Sequence, residues 1–546
     1  MTDLRDGSAT ETIDAVVIGA GFAGMYMVYR LREAGFTVHG FEAGDDVGGT
    51  WYWNRYPGAR CDSETMYYSY SFLKEVEQEW PLQERYPGQP VILQYLNHVA
   101  DRIDIRKDFT FNARVSSIAF DDETELWTVR TERGESRTAR WVVTAVGCLS
   151  DANLPEIEGR ESFEGRLLHT GQWPHEPVDF SGKRVGIIGT GASAIQAIPV
   201  IAETAGHLTV FQRTAQFTIP AANGPLDPEV ERMWKENYDE WRRRGRFSRG
   251  GVPYPATDRT AMELSADERR QAFEAAWDQG GFVFALGTFV DLLTDQEANE
   301  TAAEFVRSKI DEIVHDPDVA DKLKPYEFPF ATKRLPLDTN YYETFNRPNV
   351  TLVDLKRTPI ERITPTGIKT ATEDHDLDIL IFATGFDALT GPLLSMDIRG
   401  RQGRKLEEAW AEGPVTYLGL AVPGFPNLLT ITGPGSPSVL SNMPVSIEQH
   451  VEWIGDCIEW MREHGVEQME ATDQATLEWT AHVQEVANMT LYPKAASWYM
   501  GANIPGKPRL FLPYVGGCDV YRLKCDEVAA AGYEGFELKA DQPAGV

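Results

Sequence analysis

A short pattern occurs twice in this sequence and leaves few folds open. Residues 13–18 (IDAVVI) read as a buried strand. Gly19, Gly21 and Gly24 follow at once in the spacing G-x-G-x-x-G, then a helix-compatible run, MYMVYRLREAG, and a second strand, TVHGFE, that ends on Glu42. Residues 184–188 (RVGII) likewise lead into Gly189, Gly191 and Ala194, spaced G-x-G-x-x-A, and the strand LTVFQRT closes this second unit. Each is a βαβ unit suited to a dinucleotide. The glycines allow a tight turn and close backbone approach, the helix N-terminus meets the pyrophosphate, and the residue ending the second strand meets a ribose. Two such units predict an α/β protein with two Rossmann-like dinucleotide-binding domains.

The strand-end residues separate the two nucleotides. Counted from the first glycine of each unit, 42 − 19 = 23 and 212 − 189 = 23, so Glu42 and Gln212 hold equivalent positions, and Arg213 follows the second. A carboxylate suits a free ribose 2′-hydroxyl, whereas a neutral residue beside an arginine suits a 2′-phosphate. The first unit is therefore expected to take FAD or NAD and the second NADPH.

Two more strands end in small residues, WVVTAVG (141–147) and DILIFATG (378–385). Such endings mark crossovers between domains and place boundaries near residues 150 and 385. The domain of the first unit is expected to combine 1–150 with 386–546, and the NADP domain to be 151–385. Within the latter, residues 225–330 leave the α/β alternation. Ser265-x-x-Glu268 and Thr294-x-x-Glu297 read as capping boxes, and Ala303, Val306, Ile310 and Ile313 recur at helical spacing, which predicts a helical insertion. Near the C-terminus Ile447, Val451, Ile454, Ile458 and Met461 form another helical stripe, stopped by Gly465.

Composition removes other classes. Lys and Arg total 52 against 83 Asp and Glu, a net charge of −31 over 546 residues, which repels nucleic-acid phosphates and anionic lipid heads. No apolar run reaches the ~20 residues that span a bilayer, and MTDLRDGSATET has no basic region leading into a hydrophobic one, so a cytoplasmic protein is expected. The cysteines Cys61, Cys148, Cys457, Cys518 and Cys525 include no C-x-x-C, and the histidines have no close ligand spacing; neither a disulfide framework nor a metal site is expected. Nothing argues for an obligate oligomer, so a monomer is expected.

Two longer motifs lie around these units. One is Phe163-x-Gly165-x-x-x-His169-x-x-x-Trp173-Pro174, between them; the other is Gly48-Gly49-x-Trp51-x-x-x-x-Tyr56-Pro57-Gly58-x-x-x-Asp62. Both resemble motifs of the type I Baeyer–Villiger monooxygenases, flavoproteins that use NADPH and O2 to insert an oxygen atom beside a ketone carbonyl, giving an ester or lactone. The resemblance extends over nearly the whole chain, through Lys333-Arg334, Ala383–Asp387 and Ser497–Tyr499, and is nearest the phenylacetone and steroid monooxygenase branch at GPGSPSVLSNM (433–443) and SWYMGANIPGKPR (497–509).

The resemblance implies FAD and NADP as cofactors and reaction through a flavin C4a-peroxide that attacks a ketone. That peroxide and the tetrahedral adduct are both anions and require a fixed cation. Arg334 is implied for the task, because a guanidinium keeps its charge and presents a planar fork of donors. Asp62 is implied as its partner. Lys333 is implied at the 2′-phosphate with Arg213 and Thr214, Gly49 and Trp51 at the cofactors, and Trp498 over the nicotinamide ribose and substrate. Leu440 and Met443 are implied in the ketone pocket. His169, with Trp173, sits just after the linker SDANLPEIEG and reads as a domain-coupling residue, not a general base.

The nearest alternative is a flavin-containing monooxygenase that oxidises nitrogen or sulfur; its fingerprint lacks the Trp173-Pro174 ending and the Lys333-Arg334 pair. A disulfide reductase would need a redox dithiol that the sequence does not supply. A nonenzymatic nucleotide sensor would explain the βαβ units but not the two motifs.

Overall fold

A computed structural model describes residues 12–254 and 257–540. Residues 1–11, on which most of the N-terminal reading rests, lie outside the described residues. The two largest sheets are separate. In the first, the strand Thr12–Ile18 lies between Val38–Phe41 and Ser136–Thr144, parallel to both, with Ile18 level with Phe41 and Thr144. The sheet has eight strands, and late segments complete it: Leu428–Thr430 pairs with Ser136–Thr144, and Asp397–Arg399 pairs with Val115–Asp121. The second sheet runs Val350–Asp354, His207–Gln212, Arg184–Ile188, Ile379–Phe382 and Arg166–His169, all parallel. Its carboxyl edge sets Ile188 beside Phe211 and Phe382, with His169 opposite Phe382. Ligands collect at the carboxyl edge of a parallel sheet, where the glycine turns leave the strands. The strand expected over 378–385 belongs to this second sheet and the one over 141–147 to the first.

The segment between Ile219 and Leu337 is closed off by a two-residue parallel ladder, Ile219–Pro220 against Leu337–Asp338. Inside it lie Pro228–Glu236, Tyr238–Arg246, Ala266–Gln279, Val283–Leu286, Gln296–Ile313 and Pro317–Leu323, all helical. Ala303, Val306 and Ile310 are fully buried along one face of the Gln296–Ile313 helix. Ser265 and Glu268 form the capping box read from the sequence. The second box does not form. Asp295 caps the helix instead, its carboxylate accepting from the N–H groups of Glu297 and Ala298 at 2.9 Å each, while the Thr294 hydroxyl donates to the Asp291 carbonyl. Asp and Thr both cap, and the carboxylate one position closer takes two N–H groups at once. The late stripe is the buried side of the helix Met443–His464, which Gly465 ends in the left-handed region at φ 63°.

One buried ion pair ties the insertion to the first domain. Arg242, on the helix Tyr238–Arg246, donates to Glu77 at 2.8 Å and to Ser69 Oγ at 2.7 Å, and the Arg242 and Glu77 side chains are only 8% and 2% exposed. Removing one partner of such a pair leaves a buried charge uncompensated, at a cost of about 3–5 kcal/mol. Glu77→Ala is therefore expected to lower the urea midpoint markedly, whereas Glu240→Ala, which removes only exposed pairs with Arg243 and Arg244, leaves it nearly unchanged.

Among the described residues no helix is long and apolar enough to cross a membrane. Nor is any group of three or more His, Cys, Asp or Glu side chains placed to hold a metal ion.

Candidate active site

A cavity of about 1660 Å³ lies between the carboxyl edges of the two sheets, larger than the ~300–1,000 Å³ that one small ligand needs. Both glycine turns face it. Gly19 has φ +106°, and a Cβ there would stand 2.5 Å from the Ala145 carbonyl; Gly21 and Gly49 meet so closely that a Cβ on Gly49 would lie 2.7 Å from the Gly21 Cα. Gly21 and Gly191 begin the helices Phe22–Glu33 and Ala192–Thr204, and neither helix has a side-chain cap. Two uncapped helix N-termini thus direct free N–H groups and positive dipole ends toward one cavity, which fits two dinucleotide pyrophosphates. Gly24 and Ala194 are outside the cavity wall. A Cβ on Gly24 would sit 1.7 Å from the Gly19 carbonyl, so this glycine permits helix and strand to touch, and Ala194 is fully buried in the core.

Glu42 lines the cavity and accepts from the N–H groups of Ala20 at 2.6 Å and Gly44 at 2.7 Å. A carboxylate has about four acceptor positions, so capacity remains for a ribose hydroxyl. Burial raises its pKa, against the lowering effect of those N–H groups. Gln212 turns away: it is 3% exposed and donates to the Lys322 carbonyl at 2.6 Å. The neutral residue therefore matters only because no carboxylate stands there. Arg213, Thr214 and Lys333 do line the cavity. The Lys333 pKa is lowered, first by burial and then by Arg213. Two neighbouring cations that repel each other fit a doubly charged phosphate between them.

Deeper in the same cavity, Arg334 donates to Asp62 Oδ2 at 3.3 Å. Asp62 is 7% exposed, while Arg334 retains 34% exposure, directed into the cavity that it lines. Burial works against the Arg334 charge, but Asp62 and Tyr499 more than offset it. Burial raises the Asp62 pKa, and Arg334 and Gln196 oppose the shift. Trp51 lines the wall and donates through Nε1 to the Tyr68 hydroxyl at 3.1 Å; Gly49, Trp173 and Trp498 also line it. Val439 and Ser441, in the segment before the late helix, and Met443, its first residue, face the cavity. Leu440 does not: it packs with Met443 and Trp498 against the cluster around Tyr499 and Phe511.

Comparison with known proteins agrees with this geometry. The family model described as FMO-like, flavin-binding monooxygenase-like, matches residues 13–223. A Baeyer–Villiger monooxygenase of Pseudooceanicola batsensis is 47% identical over 95% of both chains. The chain belongs to the Baeyer–Villiger monooxygenase family. A phenazine N-monooxygenase of Lysobacter antibioticus is 45% identical over 97% of both chains. Among solved structures, oxidised steroid monooxygenase bound to NADP matches with a TM-score of 0.93 and 50% identity, over 97% of this chain and 100% of that one.

In this Baeyer–Villiger monooxygenase family member, the fingerprint residue His169 lies 6% exposed in the seam between linker and second sheet, outside the cavity wall. Its Nδ1 accepts from the Gly171 N–H at 3.0 Å, which leaves the proton on Nε2, 3.4 Å from Thr384 Oγ1; that hydroxyl in turn donates to the Asn153 carbonyl at 2.5 Å. Burial lowers the histidine pKa. Both ring nitrogens are engaged by residues of the cavity wall, Gly171 and Thr384.

Gln196 and Tyr499 have no site role in the sequence reading, although Tyr499 belongs to the segment Ser497–Tyr499. Gln196 lines the cavity and touches Asp62, and Tyr499 lies beside Arg334. Tyr499 could have been found from its neighbour Trp498. Gln196 carries no signal of its own, since it is one of several polar positions, with Ser193, Glu203 and Thr204, on a mostly apolar helix.

Proposed function

We propose that the protein is an NADPH- and O2-dependent Baeyer–Villiger monooxygenase that converts a ketone to an ester or lactone. FAD occupies the first βαβ unit, in a domain of residues 1–150 and 386–546, and NADP the second, in a domain of 151–385 whose segment 225–330 is a helical insertion. The late strands Asp397–Arg399 and Leu428–Thr430 in the first sheet support that division. The observation that carries the reading is the charged Arg334–Asp62 pair, set in one cavity with both uncapped helix N-termini.

When bound, NADPH would supply the hydride that reduces FAD, and the reduced flavin would supply the chemistry that activates oxygen. Residues of the chain hold and shield the reactants. Gly19, Gly21, Gly49, Trp51 and Glu42 hold FAD; Gly189, Gly191, Arg213, Thr214 and Lys333 hold NADP. Arg334 offers its donors to the negative charge that develops on the ketone oxygen, in a site where few waters compete, and Asp62 fixes its position. Trp498 covers the site, and Met443 contributes to the ketone pocket. Five buried free cysteines suit a reducing compartment, and the protein acts in the cytoplasm as a monomer.

The Lysobacter relative favours one other outcome, oxygen transfer to nitrogen. Offering the purified protein and NADPH a ketone series beside a tertiary amine, an N-heteroaromatic and a sulfide separates the two. Ester or lactone formed in proportion to NADPH consumed supports the proposal. N-oxide or sulfoxide with no ester from any ketone contradicts it.

His169 acts as a domain-coupling residue with Trp173. His169→Ala is expected to raise NADPH consumption without product, while both limbs of the pH–rate profile stay in place, because no proton-transfer group has been removed. Loss of a limb near neutral pH would assign His169 to proton transfer.

A further inference from the structure

Three residues of the Gly48–Asp62 motif converge on one side chain of the opposite domain. The Tyr56 hydroxyl donates to Gln196 Oε1 at 2.8 Å, and the Arg60 N–H reaches the same oxygen at 3.3 Å. Gln196 Nε2 donates to the Arg60 carbonyl at 3.1 Å and to Asp62 Oδ1 at 3.4 Å. Between them, Gly58 has φ +79°, and a Cβ there would stand 2.3 Å from the Gln196 carbonyl oxygen. The motif thus forms a socket shaped to the helix Ala192–Thr204 at Gln196. A side-chain amide engages both the N–H and the C=O of Arg60, and any residue larger than glycine at position 58 would push the helix away.

This helix begins at Gly191, at the uncapped N-terminus that faces the cavity, and Gln196 is little more than one turn farther on. A rigid helix connects the two ends. We propose that Gln196 is a positioning residue that couples occupancy of the second nucleotide unit to the Asp62–Arg334 pair: the helix holds Asp62 where it can hold Arg334. The inference rests on NADP binding at that helix N-terminus. Coupling between two sites is reciprocal, so loosening the Asp62 end must also weaken nucleotide binding.

Two variants and two readouts test it. Gln196→Leu keeps the approximate volume and removes both polar ends. Binding of NADP⁺ to the FAD-loaded protein, measured by calorimetry, is expected to weaken about three- to tenfold, and the yield of ester per NADPH to fall. Gln196→Glu keeps an acceptor for Tyr56 and Arg60 but sets a second carboxylate against Asp62. Arg334, Arg60, Tyr56, Tyr86 and Cys61 are the other titratable or charged groups around Asp62. Two carboxylates so close cannot both ionise without repulsion, and one shared proton restores the contact. NADP⁺ affinity of Gln196→Glu is therefore expected to fall as pH rises from about 6 to about 9, beyond any change in the unsubstituted protein. A group that merely fills space would give no such pH signature. Folded Gln196→Leu and Gln196→Glu proteins with the unsubstituted NADP⁺ affinity at every pH would overturn the proposal. Calorimetry requires no turnover, so failure of the ketone assay and failure of this coupling are separate results.

Discussion

Arg334→Ala is expected to retain FAD, bind NADPH and reduce its flavin under anaerobic conditions, yet to lose ester formation by at least roughly 10²–10³-fold, the effect of removing one oxyanion donor. The structure gives the reason for so large an effect. Arg334 faces the cavity with Asp62 at 3.3 Å behind it, and among the residues implied in the chemistry no other arginine is paired to Asp62. Arg334→Lys should recover little, because an ammonium has no planar fork and loses its proton more readily when desolvated. NADPH oxidation measured beside ester yield reads the result: reductant consumption continues and product disappears. Lys333→Ala provides the contrast, with weaker NADPH binding and near-normal ester yield at saturating nucleotide.

Arg213→Ala is expected to raise the NADPH KM about ten- to a hundredfold and to leave NADH kinetics nearly unchanged, since one charge-assisted contact to the 2′-phosphate contributes about 1.5–3 kcal/mol. Arg213 directly follows Gln212, the position equivalent to Glu42 of the first unit, and it is close enough to Lys333 to lower the pKa of that lysine. The unsubstituted protein should accordingly prefer NADPH strongly. Equal kcat/KM values for NADPH and NADH would contradict this placement of the two residues.

The parts of the site legible in the sequence are those fixed by local pattern. A strand, a glycine turn and a helix in succession place Gly19, Gly21, Gly189 and Gly191 at sheet edges whatever the rest of the chain does, and a constant offset puts Glu42 and Gln212 at equivalent strand ends, with Arg213 next in the chain. The long motifs name Asp62 and, with the later Lys-Arg pair, bring Arg334 to it across 272 positions of chain. Details that depend on packing were not legible. Gln212 and Arg213 alternate along a strand end, and only the fold shows that Gln212 points inward to Lys322. Leu440 lies between Val439 and Ser441, both on the wall, and its own side chain turns into the neighbouring cluster. Asp295 displaces Thr294 as a cap because helix starts are uncertain by a residue when two capping types adjoin. Gln196 could not be read at all, since its partners Tyr56, Arg60 and Asp62 precede it by 134 to 140 residues.

Isotope labelling follows oxygen insertion beside the carbonyl directly. Purified protein is supplied with NADPH, an unlabelled ketone and ¹⁸O₂, and the product is fragmented by mass spectrometry. An ester or lactone with one labelled atom at the bridging oxygen is expected, the carbonyl oxygen remaining unlabelled, in step with NADPH consumption. NADPH oxidation across the whole ketone series with no labelled ester, or with the label only on nitrogen or sulfur of a competing substrate, would contradict it.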